Sequence, residues 1–508
     1  MTEDSQANKV LDSISPVLVA KFHALNEVSW FASAYYLPQA ALTVFFGKLA
    51  NNVNLRFVFA IGTAVFSGMS THTTARNYTD IIAVGTALCV AAESSTMFVI
   101  ARTICGLGTA ALMPVALAML AVITTEAERP IYIAMILGVE AISAGLGPML
   151  GAIFAEKLSF RYAFVMCLVL SVLSGVVVYS AFDQQPPIKR HLSLWQTMKR
   201  EFDLLGSALF TISSMSLLLG LQFAAQSLDW AKPQIITPLA VGGITTIFFF
   251  IQQYHGDRTL KFFPSNVVNR EVVLSVLGGF FLVGSNKLAG YFLSFYLIEV
   301  RDQSVITSSE QVLPYLITAG IGSIALGFAL GSVSQHNYLF ILGAILLTAG
   351  TYPFTQFDEH TSIPLLIGVS IIPGLGAGIV TVLTLATAQR HVHSDDAALT
   401  MSLVLTMQLL GSTMGITLAG TLLNQHLSSA IEKLDINAIE KLEAIENLSQ
   451  WHIVKKTLRP EDAERITRLF ADATARPFWL ALVTAAMGTM LVMHLGWYKK
   501  GTSYQSLR

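Results

Sequence analysis

An all-α chain that crosses a membrane many times is the fold this sequence predicts, on three observations. Charged residues are 12% of the 508, about half the roughly 25% usual in a soluble domain. The apolar and aromatic residues reach 53%, more than so few charges can screen from water. Apolar runs of about 20 residues, the length that spans a bilayer as helix, recur almost from end to end.

Read in a window of about 19 residues, the sequence offers twelve clear spans: 28–50, 96–123, 131–154, 161–182, 204–226, 235–254, 271–299, 311–333, 338–357, 363–388, 396–423 and 478–498. Two stretches fall short. Val10 to Phe22 is apolar but half a span long, because the polar segment Met1 to Lys9 stands where more apolar residues belong. Phe57–Gly68 and Ile81–Ala92 are each too short, and Met69–Asp80 between them is rich in Thr, His, Arg, Asn and Asp. Lipid-exposed polar backbone is not tolerated at membrane depth. Removing residues 69–83 joins the two halves into one span, so fourteen spans are expected, the first truncated and the third interrupted. A missed upstream exon and a translated intron would produce these two features. A genuine polar loop between half-helices is the alternative, and the transcript sequence decides.

Orientation follows from Lys and Arg in short loops, which stay on the cytoplasmic side. With the N-terminus inside, fifteen fall on the inner face, among them Lys48, Arg56, Arg129, Lys189, Arg190, Arg390 and Lys499. Five fall outside: Lys21, Lys157, Arg161, Lys232 and Arg301. The long stretch 424–477 is expected on the outside. Ile431, Leu434, Ala438, Leu442 and Ile445 recur at helical spacing there between Glu and Lys, the pattern of an amphipathic helix. Asn447-Leu448-Ser449 is a glycosylation acceptor pattern that fits an outer location.

Other classes are poorly supported. The sequence has no phosphate-binding Gly-Lys-Ser/Thr loop, which argues against ATP-driven pumping, and no nucleophile elbow, so no enzyme is expected. Net charge is −1, which gives no reason to expect a nucleic-acid partner. Cys89, Cys105 and Cys167 sit in apolar runs and read as helix-packing residues, with no disulfide, metal or cofactor expected. His391 and His393 with Asp395 and Asp396 read as a solvated loop. Met1 to Lys9 carries no cleavable signal pattern.

Asp12 in the first apolar run, Gly47-Lys48-Leu49, Arg102 with Gly106 and Gly108, and Gly145, Gly147, Pro148 and Gly151 together resemble the fourteen-span drug:proton antiporter branch of the major facilitator superfamily, in particular its fungal toxin exporters. Leu11-Asp12-Ser13-Ile14 through Pro16 is similar to the first-span motif. Trp30 through Gly47-Lys48-Leu49 resembles span two and the gating loop after it. Arg102 followed by Gly106 and Gly108 resembles the fourth-span motif. Gly145, Gly147, Pro148 and Gly151 resemble the antiporter signature of span five, followed by Phe160-Arg161-Tyr162. Leu221-Gln222 with Asp229-Trp230 resembles the end of span seven. The chain departs from the family at Asn51 and Asn54, where an Asp and a Gly are usual. Only Arg56 survives of the basic cluster, and Ala152 replaces the last signature Gly.

The resemblance implies two six-helix bundles around a central cavity with two extra central spans. Residues 1–182 form the first bundle, with its first span incomplete, and 183–203 a cytoplasmic linker. Residues 204–254 are the extra spans, 271–498 the second bundle and 499–508 a cytoplasmic tail. It also implies export of small amphipathic molecules, uncharged or weakly charged, by proton antiport, from a protein acting as a monomer. The plasma membrane is the expected location and the vacuolar membrane the alternative. Siderophore import on the same fold, or a decayed copy that transports nothing, are the rival readings.

Four charged positions carry the expected chemistry. Arg102 lies near the outer end of span four, where a bilayer charge costs at least about 2.5–3.5 kcal/mol unless it finds a cavity or partner. Coupling of proton to cargo is one reading and snorkelling to the headgroups the other. Glu140 lies ten residues beyond Pro130, about 15 Å deep, and reads as a protonatable group or as a neutral acid bonded to a neighbouring helix. Asp12 is the first-span carboxylate by position, or sits in headgroup water if that span is short. Lys287, between Gly284, Ser285 and Gly290, binds an anionic group or pairs with a carboxylate.

Overall fold

The structure is a computed structural model that describes residues 22, 28–50, 53–67, 85–125, 128–182, 203–226, 230–255, 269–330, 336–390, 392, 396–432 and 460–497. Asp12, Asn51, Asp229, His391, His393, Asp395, Asn447, the run 69–83 and the tail 499–508 lie outside the described residues. The helices in chain order are α1 (Val28–Ala50), α2 (Leu55–Ser67), α3 (Gly85–Ala91), α4 (Ser95–Ile123), α5 (Arg129–Lys157), α6 (Phe160–Ala181) and α7 (Leu204–Gln226). They continue with α8 (Pro233–His255), α9 (Arg270–Glu299), α10 (Val305–Leu330), α11 (His336–Thr351), α12 (Ile363–Arg390), α13 (Ala397–Glu432) and α14 (Pro460–Trp497). Among the described residues, α4 to α14 are the eleven helices long and apolar enough to cross a membrane. Each of the twelve clear spans read from the sequence coincides with one helix.

The interrupted third span is two helices in one place. Both α2 and α3 pack against α4 and α6. Gly85 opens α3 so close to the last turn of α2 that a Cβ there would stand 2.7 Å from the Val65 carbonyl oxygen. The Thr86 hydroxyl then donates to the Phe66 carbonyl at 2.6 Å. A carbonyl orphaned at a helix end inside lipid needs such a donor, and Thr86 supplies it.

The long outer stretch departs from expectation. Residues 424–477 are not one loop: α13 continues to Glu432 and α14 begins at Pro460. Ile431, expected on an amphipathic surface helix, is fully buried in one core with Leu427, Ile466 and Phe470. The apolar side of the last turns of α13 finds that of α14 and stays in the helical ladder. Nearby, Glu359 pairs with Arg468 at 3.3 Å and its carbonyl accepts from Arg301, which ties two connections to α14 at this rim.

Helices in lipid gain little from apolar burial against one another, so close contact at small residues drives their packing. The crossing of α9 and α13 rests on this. A Cβ on Gly411 would stand 2.1 Å from the Phe280 carbonyl oxygen, and one on Gly284 would stand 2.9 Å from the Gly411 backbone. At that crossing α9 carries a π-helical turn, Gly279–Val283.

Among the described residues, the two bundles share an extended core at one end. One continuous cluster joins Leu117 and Leu120 of α4 and Ile133 and Leu137 of α5 to Leu326 and Leu330 of α10, Ala388 of α12 and Leu399 of α13. At the opposite end the cores are separate. Phe31, Tyr35, Phe98 and Phe164 hold the first bundle, and Tyr296, Phe354, Phe357 and Phe470 hold the second.

Gly411→Leu is expected to overpack the α9–α13 crossing by about 1–3 kcal/mol, read as a lower apparent unfolding temperature in detergent. Gly420→Leu on the same helix, where a Cβ meets nothing within 4 Å, is expected to leave that temperature unchanged.

Candidate functional site

The seam between the bundles is where α5 lies along α10. The glycines of α5 receive α10 side chains: a Cβ on Gly138 would stand 2.6 Å from Ile324 Cγ1, and one on Gly145 2.6 Å from Leu313 Cδ1. Gly327 of α10 returns the arrangement against Ala134. Gly145, singled out in the sequence as part of an antiporter-like signature, is thus a contact between bundles. Gly147 and Gly151 are buried on the same helix.

Tyr132, Met135, Val139, Ile142 and Leu146 are the exposed stripe of α5, at three- and four-residue spacing. That is its lipid side. Glu140 lies off this stripe, at the twelfth of the 29 residues of the helix. Its carboxylate pairs with the Lys287 ammonium of α9 at 3.8 Å. Lys287 is the eighteenth residue of Arg270–Glu299, so both groups stand near the middle of their helices. Their side chains keep 29% and 43% exposure, so they face open space. Of the two sequence readings of Lys287, the carboxylate partner is the one present, and it comes from the other bundle.

Next to Lys287, Asn286 is held from the second bundle. The Tyr315 hydroxyl donates to its carbonyl oxygen Oδ1 at 2.5 Å and to its backbone oxygen at 3.3 Å. Deeper in the same bundle, Gln408 donates to Thr384 Oγ1 at 2.8 Å. On α1, the buried Oε1 of Gln39 has no hydrogen-bond partner.

Arg102 does not face this space. Its side chain is 1% exposed, which removes the snorkelling reading. Nε donates to the Phe31 carbonyl oxygen at 3.1 Å. The guanidinium lies 4.5 Å from the Tyr35 ring centroid, and the Tyr35 hydroxyl bonds Thr109 at 2.8 Å. Gly106 permits the approach, since a Cβ there would meet the Tyr35 carbonyl oxygen at 2.2 Å. A Cβ on Gly108 would stand 2.6 Å from Phe66 N. The fourth-span motif therefore clasps α4 to α1 and α2.

At the closed end, a Cβ on Gly47 would overlap Ser402 of α13. Lys48 beside it is buried, with the Asp203 charge acting on it. Asp203 is a residue that sequence reasoning missed. It accepts from Gly206 N at 2.7 Å and from the amides of Gln252 and Gln253 at 2.9 Å, which joins α7 and α8. The available signal was an acidic residue just ahead of an apolar run, where a helix cap belongs. Arg56 stacks 3.8 Å over the Tyr179 ring. Asn54, a departure from the family motif, caps α2 by accepting from Arg56 N at 3.0 Å. Among the described residues no group of His, Cys, Asp and Glu is placed to hold a metal.

Known proteins agree with this architecture. The family model of the Major Facilitator Superfamily matches residues 6–416. Efflux pump mlcE of Penicillium citrinum is 25% identical over 500 residues, covering 96% of this chain and 86% of that protein. Efflux pump aflT of Aspergillus parasiticus is 23% identical over 494 residues, covering 96% and 92%. Among solved structures, the proton:xylose symporter XylE superposes with a TM-score of 0.58 at 11% identity, over 97% of this chain and 93% of that one. That likeness speaks for the fold alone. With two bundles on a glycine seam, helices of membrane-spanning length and a family match over most of its length, this chain belongs to the Major Facilitator Superfamily and is a membrane transporter, not an enzyme.

Proposed function

We propose that the chain exports small amphipathic organic molecules of the toxin or secondary-metabolite kind, by proton antiport through alternating access. The observation that carries the mechanism is the Glu140–Lys287 pair, which joins the two bundles near mid-depth. A charge at that depth is costly unless paired. Closing the pair holds the bundles together, and protonating Glu140 releases them. A transporter fold with its site near the midplane works by rocking one half against the other.

Direction is supported by the relatives named as efflux pumps and by the charge bias of the loops. With the N-terminus inside, the shared core of Leu117, Leu137, Leu330 and Leu399 lies at the cytoplasmic end. The arrangement is then outward-facing, the state in which cargo leaves and a proton arrives. Glu140 is the proton carrier in this reading. Arg102 positions α1 against α4 and acts on coupling through that clasp, and Asp12 is a second candidate carboxylate. The family implies gating roles for Gly47, Lys48 and Arg56, and Asp203 holds Lys48 where the family's own Asp is replaced by Asn51.

The test is flux of a fluorescent amphipathic dye in vesicles carrying an imposed pH gradient. Glu140→Gln is expected to abolish gradient-driven accumulation while leaving downhill exchange. Full accumulation by that variant would remove Glu140 from the mechanism. Arg102→Lys is expected to keep the charge but lose the planar stack on Tyr35, worth roughly 2 kcal/mol when desolvated. It is therefore expected to lower the apparent unfolding temperature and, per folded protein, to weaken gradient-driven accumulation.

A further inference from the structure

The face of α9 that opens between the bundles is polar, and it carries a cation. Asn286, Lys287, Gly290, Tyr291 and Ser294 are the partly or well exposed residues over two turns, while Leu288, Ala289, Phe292 and Leu293 are buried. Lys287 offers three N–H donors and no acceptor. The Asn286 carbonyl oxygen is occupied by the Tyr315 hydroxyl, so the amide end left to the site is its NH2 donor. Ser294 spends its hydroxyl hydrogen on the Gly290 carbonyl. Two adjacent side chains, one of them cationic, thus present donors to the same space.

Glu140 answers them at a distance. At 3.8 Å the pair is longer than the roughly 2.7–2.9 Å of a close N–H to carboxylate bond. The ammonium is also the more exposed partner, at 43% against 29%. Glu140 itself stands among Ile136, Ser143, Ala144 and Gly147 on its helix face. That face offers an arriving cation one carboxylate and one hydroxyl. An arriving anion finds the cation and the amide donors together.

We infer that Lys287 with the Asn286 amide is the cargo's head-group site, and that the transported class is amphipathic organic acids bearing a carboxylate or similar anion. The inference rests on the transporter reading above and narrows its cargo. A bound carboxylate displaces Glu140 from Lys287. The pair between bundles therefore opens when the right cargo occupies the site, and neutral cargo leaves it closed. Tyr315, buried at 1% exposure, fixes which end of Asn286 faces the cargo and is a positioning residue.

The test uses the full-length protein purified in detergent and three probes of one shape: 2-naphthoxyacetate, its neutral amide and the corresponding primary amine. Equilibrium titration is expected to show the acid bound at least about tenfold more tightly than either analogue, the discrimination expected of one charge-assisted pair. Lys287→Met is expected to bring acid binding down to the level of the amide. Lys287→Arg is expected to retain it, and Glu140→Gln to keep or strengthen acid binding. An unchanged apparent unfolding temperature in detergent reports that each variant is folded. Equal binding of acid and amide by the unaltered protein, or an acid preference that survives Lys287→Met, overturns the inference. Vesicle flux separates this from the export reading. Export of the amide with no preference for the acid leaves export standing and sinks the head-group site. Lys287-dependent acid binding without gradient-driven movement sinks proton-driven export and upholds the site.

Discussion

Lipid offers no hydrogen bonds, and every feature of this protein answers to that. A backbone N–H or C=O left unpaired in hydrocarbon costs several kcal/mol, so the chain crosses as helices whose ladders close on themselves. Side-chain hydroxyls obey the same rule. Thr43, Thr63, Thr103, Thr109, Thr381 and Thr413 each donate to the carbonyl four residues earlier on their own helix. Where the ladder breaks, between α2 and α3, a threonine from one half-helix satisfies the other.

With water absent, apolar surface gains little by meeting apolar surface, and packing depends on how near two backbones can come. That is the work of Gly106, Gly138, Gly145 and Gly411, each set against a neighbouring helix at a distance no side chain allows. The glycines fall into two groups by consequence. Gly106 and Gly108 lock helices within the first bundle, and Gly411 locks them within the second. Gly138 and Gly145 lie on the seam between bundles, where the nearest α10 atoms belong to the side chains of Ile324 and Leu313. A seam built on side chains can slide, which a transporter that alternates between two states requires.

The charges divide along the same line. Arg102 is wrapped by a carbonyl and an aromatic face and belongs to one bundle. Asp203 joins the two extra spans through Gly206, Gln252 and Gln253, and its charge acts on buried Lys48 at the closed end. Glu140 and Lys287 stand half-exposed and belong to different bundles. A pair that joins moving parts across open space has a use that a buried clasp does not, which is why the mechanism and the cargo are both argued from it.

Span positions, helical class and family were legible in the sequence, because hydropathy reads directly on the one requirement lipid imposes and because the motifs around Arg102 and Gly145 are local. The place of Glu140 on its helix, ten residues beyond Pro130, was legible too. Partnership was not. Nothing in the order of residues says that Glu140 meets Lys287, 147 positions later in a 508-residue chain. Nor does it say that Arg102 turns inward beneath Tyr35, or that Asp203 lies among Gln252, Gln253 and Lys48. The end of α13 was misread for the same reason: Ile431 looked like one side of a surface helix until α14 was there to cover it. Composition decided which solvent surrounds the chain, and local pattern decided where it crosses. Only the tertiary structure decided which charges share a space, because that depends on how helices far apart in sequence rotate against one another, and about half a turn of rotation error would carry Glu140 from the cavity to the lipid.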